Sequence, residues 1–255
     1  MSPRQRTSAL TALAAAALVG AFVPAVLASH KLPPYIKPCS QNDIHLDECA
    51  LRSARAALPG IIKGDRKFGV QPLDPLRLTE VLLEQGRGLS LALRDVDVIG
   101  LHATDINSVR LDLPKDTVIV NLTVPHIEIL GKYVVKGKIM VLPITGKGNA
   151  NITLDDVRVS YTFQHDLVRK ADGKQYIRGK NNSLTLTAGW GSAHLDNLFN
   201  GDKRLGDAMN KFINENWRIV MEEIRAPIEE TIVQVVERIL TSFTSKVPYE
   251  EILLA

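Results

Sequence analysis

The sequence predicts an α+β fold in which a strongly curved antiparallel sheet wraps a long C-terminal helix. Two observations carry that prediction. From Gly88 to Trp190 apolar residues alternate with polar ones, the period of strands with one buried face. From Leu205 to Phe243 the spacing changes to three and four. Leu205, Met209, Phe212, Ile213, Trp217, Val220, Ile224, Ile228, Ile232, Val235, Ile239 and Phe243 form one stripe on a helix of roughly 40 residues. No second long helix is visible to cover that stripe, so the sheet's apolar face must do so.

The elements follow in order. Arg4 and Arg6 precede an apolar run, Ala9 to Leu27, and Val26-Leu27-Ala28 offers the small residues of a cleavage site. Residues 1–28 therefore read as a signal peptide and 29–255 as one secreted domain. Removing Arg4 and Arg6 from the 31 basic residues leaves 29 against 28 acidic ones. That balance, without a basic block, predicts no nucleic-acid partner. No later run is long and apolar enough for stable membrane insertion. A monomer is expected. Cys39 and Cys49 are the chain's two cysteines, and in a secreted protein they should pair. A metal site of these two with His45 would lack a fourth ligand.

"DIHLDECALRSARAAL" predicts a short amphipathic helix, capped by Asp43 and stopped at Pro59-Gly60. The Gly- and Pro-rich stretch that follows, to about Val81, reads as irregular chain. Strands then succeed one another with short turns, including an Asp-Gly hairpin at Ala171 to Lys174. The alternation slips at Arg94-Asp95 and again at Asp155-Asp156, which predicts bulges. Gly100, Gly131, Gly137, Gly146 and Gly148 should help the sheet curve. Pro227 should kink the long helix. Three glycosylation sequons begin at Asn121, Asn151 and Asn181. Asn121 and Asn151 are out of phase with their apolar neighbours, so a glycan there would put the Val/Leu/Ile face inward.

"VQPLDPLRL", "GKGNANITLDDVRVSY" and above all "HLDNLFNGDKRLGDAMNKFINENW" with "PIEETI" resemble the takeout and haemolymph juvenile hormone-binding protein family of insects. The resemblance runs from about Cys39 to Leu254, and the early cysteine pair shares it. It implies a long helix in a curved sheet, enclosing an elongated apolar tunnel for a small lipid. With a single cysteine pair the chain resembles the takeout-like members, for which terpenoids, fatty acids or quinone-tailed lipids are the implied ligands. Such members are linked to hormonal, circadian, feeding and chemosensory physiology.

No catalytic or cofactor motif is present. "GWGSA" lacks the spacing of a nucleophile elbow, and "GKGN" lacks the ending of a phosphate loop. His102, His126, His165 and His194 have no metal-ligand spacing and read as surface or strand-end residues. Glu222-Glu223 and Glu229-Glu230 read as a solvated helix face. The expected function is to carry a small hydrophobic ligand, without catalysis, cofactor or metal. The alternative is a protein that acts through its surface around a filled core. The expected ligand contacts are Val120, Leu122, Met140, Tyr161 and Phe163 from the sheet and Met209, Phe212, Ile213 and Trp217 from the helix. Tyr133, Tyr161 and Thr162 are the candidate polar anchors, and only the tyrosines are in phase with the inward face. Met140 would face inward only across a bulge.

Overall fold

The structure, a computed structural model, describes residues 30–85 and 88–255. The expected signal peptide, 1–28, lies outside the described residues. The elements are β1 (Cys39–Ser40), α1 (Leu46–Lys63), β2 (Leu76–Gln85), β3 (Leu89–Ile99), β4 (Asp105–Asp112), β5 (Thr117–Ile139), β6 (Leu142–Arg169), β7 (Gln175–Thr187), β8 (Trp190–Leu195), α2 (Lys203–Glu215), α3 (Trp217–Thr244), α4 (Tyr249–Ile252) and β9 (Leu253–Leu254). The fold is α+β: a large curved antiparallel sheet with C-terminal helices and a short N-terminal one.

Within the expected succession of strands, β5 and β6 are single strands of 23 and 28 residues. They pair with each other throughout and exchange outer neighbours midway. The first part of β5 pairs β4 and the second β3; the first part of β6 pairs β8 and the second β7. The exchange has a local cause. Asp156 takes φ 50°, and opposite it stands Pro125, which has no N–H to give. Val118, Val120, Leu122 and Val124 face inward before this point and Ile127 and Ile129 after it. On β6 the change is from Ile152 and Leu154 to Val157, Val159 and Tyr161. Both strands slip together, so their mutual register holds while the sheet bends. The slip expected at Asp155-Asp156 is therefore half of a paired event. The one at Arg94-Asp95 is a bulge against β5, with Asp95 at φ 50°. Gly100 is indispensable nearby: a Cβ there would sit 2.2 Å from the His126 carbonyl oxygen.

Three further differences from the sequence reading have physical reasons. The first part of β2, up to Val81, lies in the stretch read as irregular, because the strand's inward residues Leu76, Leu78, Val81 and Leu83 change phase at Thr79-Glu80. α1 continues through Pro59 to Lys63 and carries no side-chain cap; Asp43 instead accepts the His45 N–H in a local turn. The C-terminal helix is two helices rather than one. They divide at Asn216 (φ −114°, ψ 23°), whose side-chain amide donates to the Phe212 carbonyl at 2.9 Å. Pro227, the expected kink, sits inside the continuous α3.

The helices also cover free strand edges. On β4, Leu111 N–H donates to Asp47 of α1, and Arg55 donates to the Ile106 carbonyl, both at 2.8 Å. On β8, Ala193 and Leu195 N–H groups donate to Asn214 and Asn210 of α2 at 2.8 and 2.9 Å. On β7, Leu186 N–H donates to Glu229 of α3 at 2.8 Å. Unpaired edges invite pairing with other chains, and these side chains occupy them. The "MNKFINENW" segment thus holds two edge caps and a helix break.

Cys39 and Cys49 form a disulfide that ties β1 to α1. β1 pairs in parallel with β9, so the cross-link reaches the C-terminus as well. Phe68, Val70, Phe243 and Val247 form a small core at this end.

Candidate functional site

Between the inward face of the sheet and α3 lies a cavity of about 650 Å³. Its wall draws on β2, β3, β5, β6, β7 and β8, and α3 contributes Val220, Met221, Ile224, Ile228, Ile232, Val236 and Leu240, among others. Among the described residues no charged side chain lines it. The lining is dominated by Val, Leu and Ile because these are the residues that the alternation of the strands brings inward. Such a space excludes charge, since moving an ion into it without a partner is costly.

Two of the polar groups on the wall are already engaged. Thr104 and Thr231 donate their hydroxyls to the Leu101 and Pro227 carbonyls at 2.7 and 2.8 Å. Tyr161 is different. It is buried, lines the cavity, and its hydroxyl has no hydrogen-bond partner. Burial, with the Glu237 carboxylate nearby, pushes its pKa up to about 12, so at ordinary pH it is a neutral donor. Tyr133 is also buried, but its hydroxyl donates to the Asp196 carbonyl at 2.6 Å and is not part of the wall.

Three residues stand between the cavity and the surface beside α1. Leu58, Ile62 and Thr104 belong both to its wall and to an outer groove with Arg55, Lys63, Asp74, His102 and Asp105. Asp74 fastens this rim. Its carboxylate accepts the Gly100 and His102 N–H groups at 3.2 and 2.8 Å and contacts the His102 ring. Burial pushes its pKa up, but the hydrogen bonds from His102 and Gly100 outweigh it and hold the carboxyl below its usual range.

Of the nine expected contacts, Val120, Leu122, Tyr161, Phe163, Ile213 and Trp217 lie on the cavity wall. Three do not. Met140 sits at the β5–β6 turn with φ 55° and 40 % exposure; no bulge returns it to the inward face. Met209 is buried in the core under α2, and Phe212 packs against that core. The wall residues that the sequence reading did not name as contacts include those of α3 from Val220 onward and those of β2 and β3. For α3 the signal was its stripe, whose C-terminal half faces the cavity. For β2 the phase change hid it.

Two expectations about polar residues also change. Glu223 and Glu229 are half-buried and accept the Met140 and Leu186 N–H groups, so only part of that helix face is solvated. His165 is buried, stacked on Phe163 at 5.6 Å, and its Nδ1 has no partner. Burial pushes its pKa down. The sequons lie off the cavity wall: Asn151 and Asn181 are exposed, whereas Asn121 is half-buried and donates to Ser108 at 2.9 Å. Among the described residues no group of His, Cys, Asp or Glu could hold a metal. No helix among them is long and apolar enough to cross a membrane.

Known proteins share this architecture. The structure superposes on that of Takeout 1 from Epiphyas postvittana with a TM-score of 0.77 at 28% identity, covering 86% of this chain and 100% of that one. The circadian clock-controlled protein daywake of Drosophila melanogaster is 27% identical over 234 residues, 88% of this chain and 89% of daywake. A Schistocerca gregaria protein, provisionally named as binding beta-carotene, is 25% identical over 199 residues, 78% of this chain and 80% of its own. The family model of haemolymph juvenile hormone binding proteins matches residues 12–254. With the curved sheet, the helix against it and the uncharged hollow between them, the match has a structural counterpart along the chain: this protein belongs to the haemolymph juvenile hormone binding protein family, and is takeout-like within it.

Proposed function

We propose that the protein is a secreted, monomeric carrier that holds one small hydrophobic molecule in the cavity, used as an elongated tunnel. The observation that carries this reading is the volume of about 650 Å³ bounded without a single charged side chain among the described residues. Small-molecule sites commonly span about 300–1,000 Å³. The beta-carotene in the provisional name of the Schistocerca gregaria relative fits the same chemistry. A terpenoid, a fatty acid or a quinone-tailed lipid suits this wall, and Val120, Leu122, Tyr161, Phe163, Ile213 and Trp217 would touch it.

Magnitudes support ordinary carrier affinity. Burying about 15 carbons at ~0.8 kcal/mol each gains on the order of 10 kcal/mol. Association costs at least ~4 kcal/mol. The remainder corresponds to roughly tens of micromolar, which close packing and one hydrogen bond would tighten. Tyr161 is the group placed to make that bond, to an oxygen on the ligand. A surface role around a filled interior fits the cavity less well, and so does catalysis, in a family of binding proteins. We also assign glycans to Asn121, Asn151 and Asn181, all outside the cavity wall.

Organic extraction of the secreted protein, followed by mass spectrometry, tests the proposal. A lipid in near-stoichiometric amount is expected. Empty extracts together with no uptake of a fluorescent fatty acid would reject it. Mass spectra of the intact protein before and after enzymatic deglycosylation count the glycans.

A further inference from the structure

The hairpin joining β5 to β6 has an outer side that the cavity does not use. From Gly131 to Ala150 the chain holds four lysines, Lys132, Lys136, Lys138 and Lys147, and no aspartate or glutamate. The inward residues of this segment, Val135, Ile139 and Ile144, belong to the cavity wall. The lysines are all exposed. At the tip, Met140 is 40 % and Val141 80 % exposed. Ile219, one turn before Glu223 on α3, is 50 % exposed, and Glu223 accepts the Met140 N–H at 2.8 Å. On the same outer side the register sets Val134 between Ala92 and Lys147, and Ala92 beside Leu82.

Two of the acidic groups nearby are engaged. Asp95 pairs with Lys132 at 2.9 Å, and Glu223 is held by the Met140 N–H. The register also brings Glu84 opposite Ser90. Among the described residues Lys136, Lys138 and Lys147 have no carboxylate partner. The chain as a whole is nearly neutral, at +3 in 255 residues, so this concentration of charge is local. Protein–protein interfaces are depleted in lysine, whereas anionic lipid surfaces attract it.

We propose that the β5–β6 hairpin tip docks peripherally on an anionic lipid surface, with Met140 and Val141 entering the headgroup layer and Lys136, Lys138 and Lys147 meeting its phosphates and carboxylates. Docking of this kind holds a protein at the interface without a spanning segment. It would set the end of the cavity bounded by Val135, Ile139 and Ile144 against the lipid layer. The surface stands apart from the question of what the cavity carries.

Vesicle flotation of the full secreted chain provides the test. Phosphatidylcholine vesicles with and without about one-third phosphatidylserine are compared at low and physiological salt, with fluorescent fatty-acid uptake measured separately. Partition to the anionic vesicles is expected, weakening with salt and weak on neutral ones. Each lysine near such a surface is worth about a fivefold change. Lys136→Glu with Lys138→Glu should therefore reduce partition by at least about tenfold, and Val141→Asp by several-fold, with thermal unfolding and fatty-acid uptake as in the wild type. No partition at low salt, partition indifferent to phosphatidylserine, or partition unchanged in both variants overturns the proposal. Because uptake is read independently, its loss would count against the carrier reading and not against the docking surface.

Discussion

The helices α2 and α3 lie against the same sheet but meet it differently. Along the 13 residues of α2, Gly206, Met209 and Ile213 are buried, and the space beneath them is packed with Tyr133, Leu195 and Leu198. Along the 28 residues of α3 only Val220 and Phe243 are buried, although Met221, Ile224, Ile228, Ile232, Val235, Val236, Ile239 and Leu240 all point inward. The α3 side chains are in phase with the interior and still short of neighbours. Periodicity decides which side of a helix faces the sheet; distance to the opposite wall decides whether that side is filled. The paired slip of β5 and β6 at Pro125 and Asp156 bends the sheet between the two regions, and β7, held to α3 through Glu229, closes the far side.

Truncation is the sharpest way to separate the two regions. Met209→Ala under α2 should lower unfolding free energy by about 2–5 kcal/mol, because it opens a new void in a close-packed core. Ile232→Ala on α3 should cost less, about 1–2 kcal/mol, since its side chain is only partly buried and already borders the cavity. Equal losses in chemical denaturation would erase the distinction between a filled and a hollow end.

The disulfide comes next in size. Cys39→Ser with Cys49→Ser frees a 10-residue separation and should cost about 2–3 kcal/mol. Because the cross-link anchors β1, and β1 pairs with β9, hydrogen exchange should rise at Leu253 and Leu254 and leave α2 unchanged.

Tyr161→Phe gives a smaller and more selective effect. Removing a hydroxyl that lacks a partner should leave the melting temperature unchanged or slightly raised. Ligands carrying an oxygen acceptor should bind about three- to tenfold more weakly, and pure hydrocarbons equally well. A titration in which both ligand classes weaken alike would remove Tyr161 as the anchor.

His165 supplies the smallest effect, on the pH axis. Its native pKa lies below the unfolded value because burial disfavours the imidazolium. The unfolded chain therefore binds the extra proton first. This contribution to stability is present above about pH 6.5 and is lost as pH falls through the native pKa. Melting temperature should drop on acidification from pH 7, and His165→Phe should flatten that drop. An unchanged slope in the variant would assign the acid sensitivity elsewhere.

Residue periodicity conveys one half of the contrast between the two helices and conceals the other. Alternation placed the inward faces of β5 and β6, and Val120, Leu122, Tyr161 and Phe163 are on the wall for that reason. The apolar stripe placed the C-terminal helices over the sheet. What the stripe could not convey was occupancy: Met209 and Ile213 are four residues apart on one face, yet only Ile213 reaches the cavity. The break at Asn216 was hidden because a side chain that competes for a backbone carbonyl leaves the apolar spacing intact. Edge capping was hidden for a related reason. Asn210, Asn214 and Glu229 are polar positions on amphipathic helices, and their partners are backbone N–H groups of strands 15 to 43 residues away in sequence. Met140 lies off the wall because turn geometry, with its positive φ, overrides alternation at a hairpin tip.

The central claim is that the hollow under α3 is the binding space and the packed region under α2 is not. Titration of a fluorescent fatty acid into the wild type, Val159→Trp on the cavity wall and Met209→Trp in the α2 core tests it most directly. The wild type should saturate near one molecule per chain. Val159→Trp should keep its fold and lose at least about tenfold in affinity, because the indole occupies the ligand's volume, whereas Met209→Trp should lose about 1–3 kcal/mol of stability by overpacking. Wild-type affinity in a well-folded Val159→Trp protein would contradict the account.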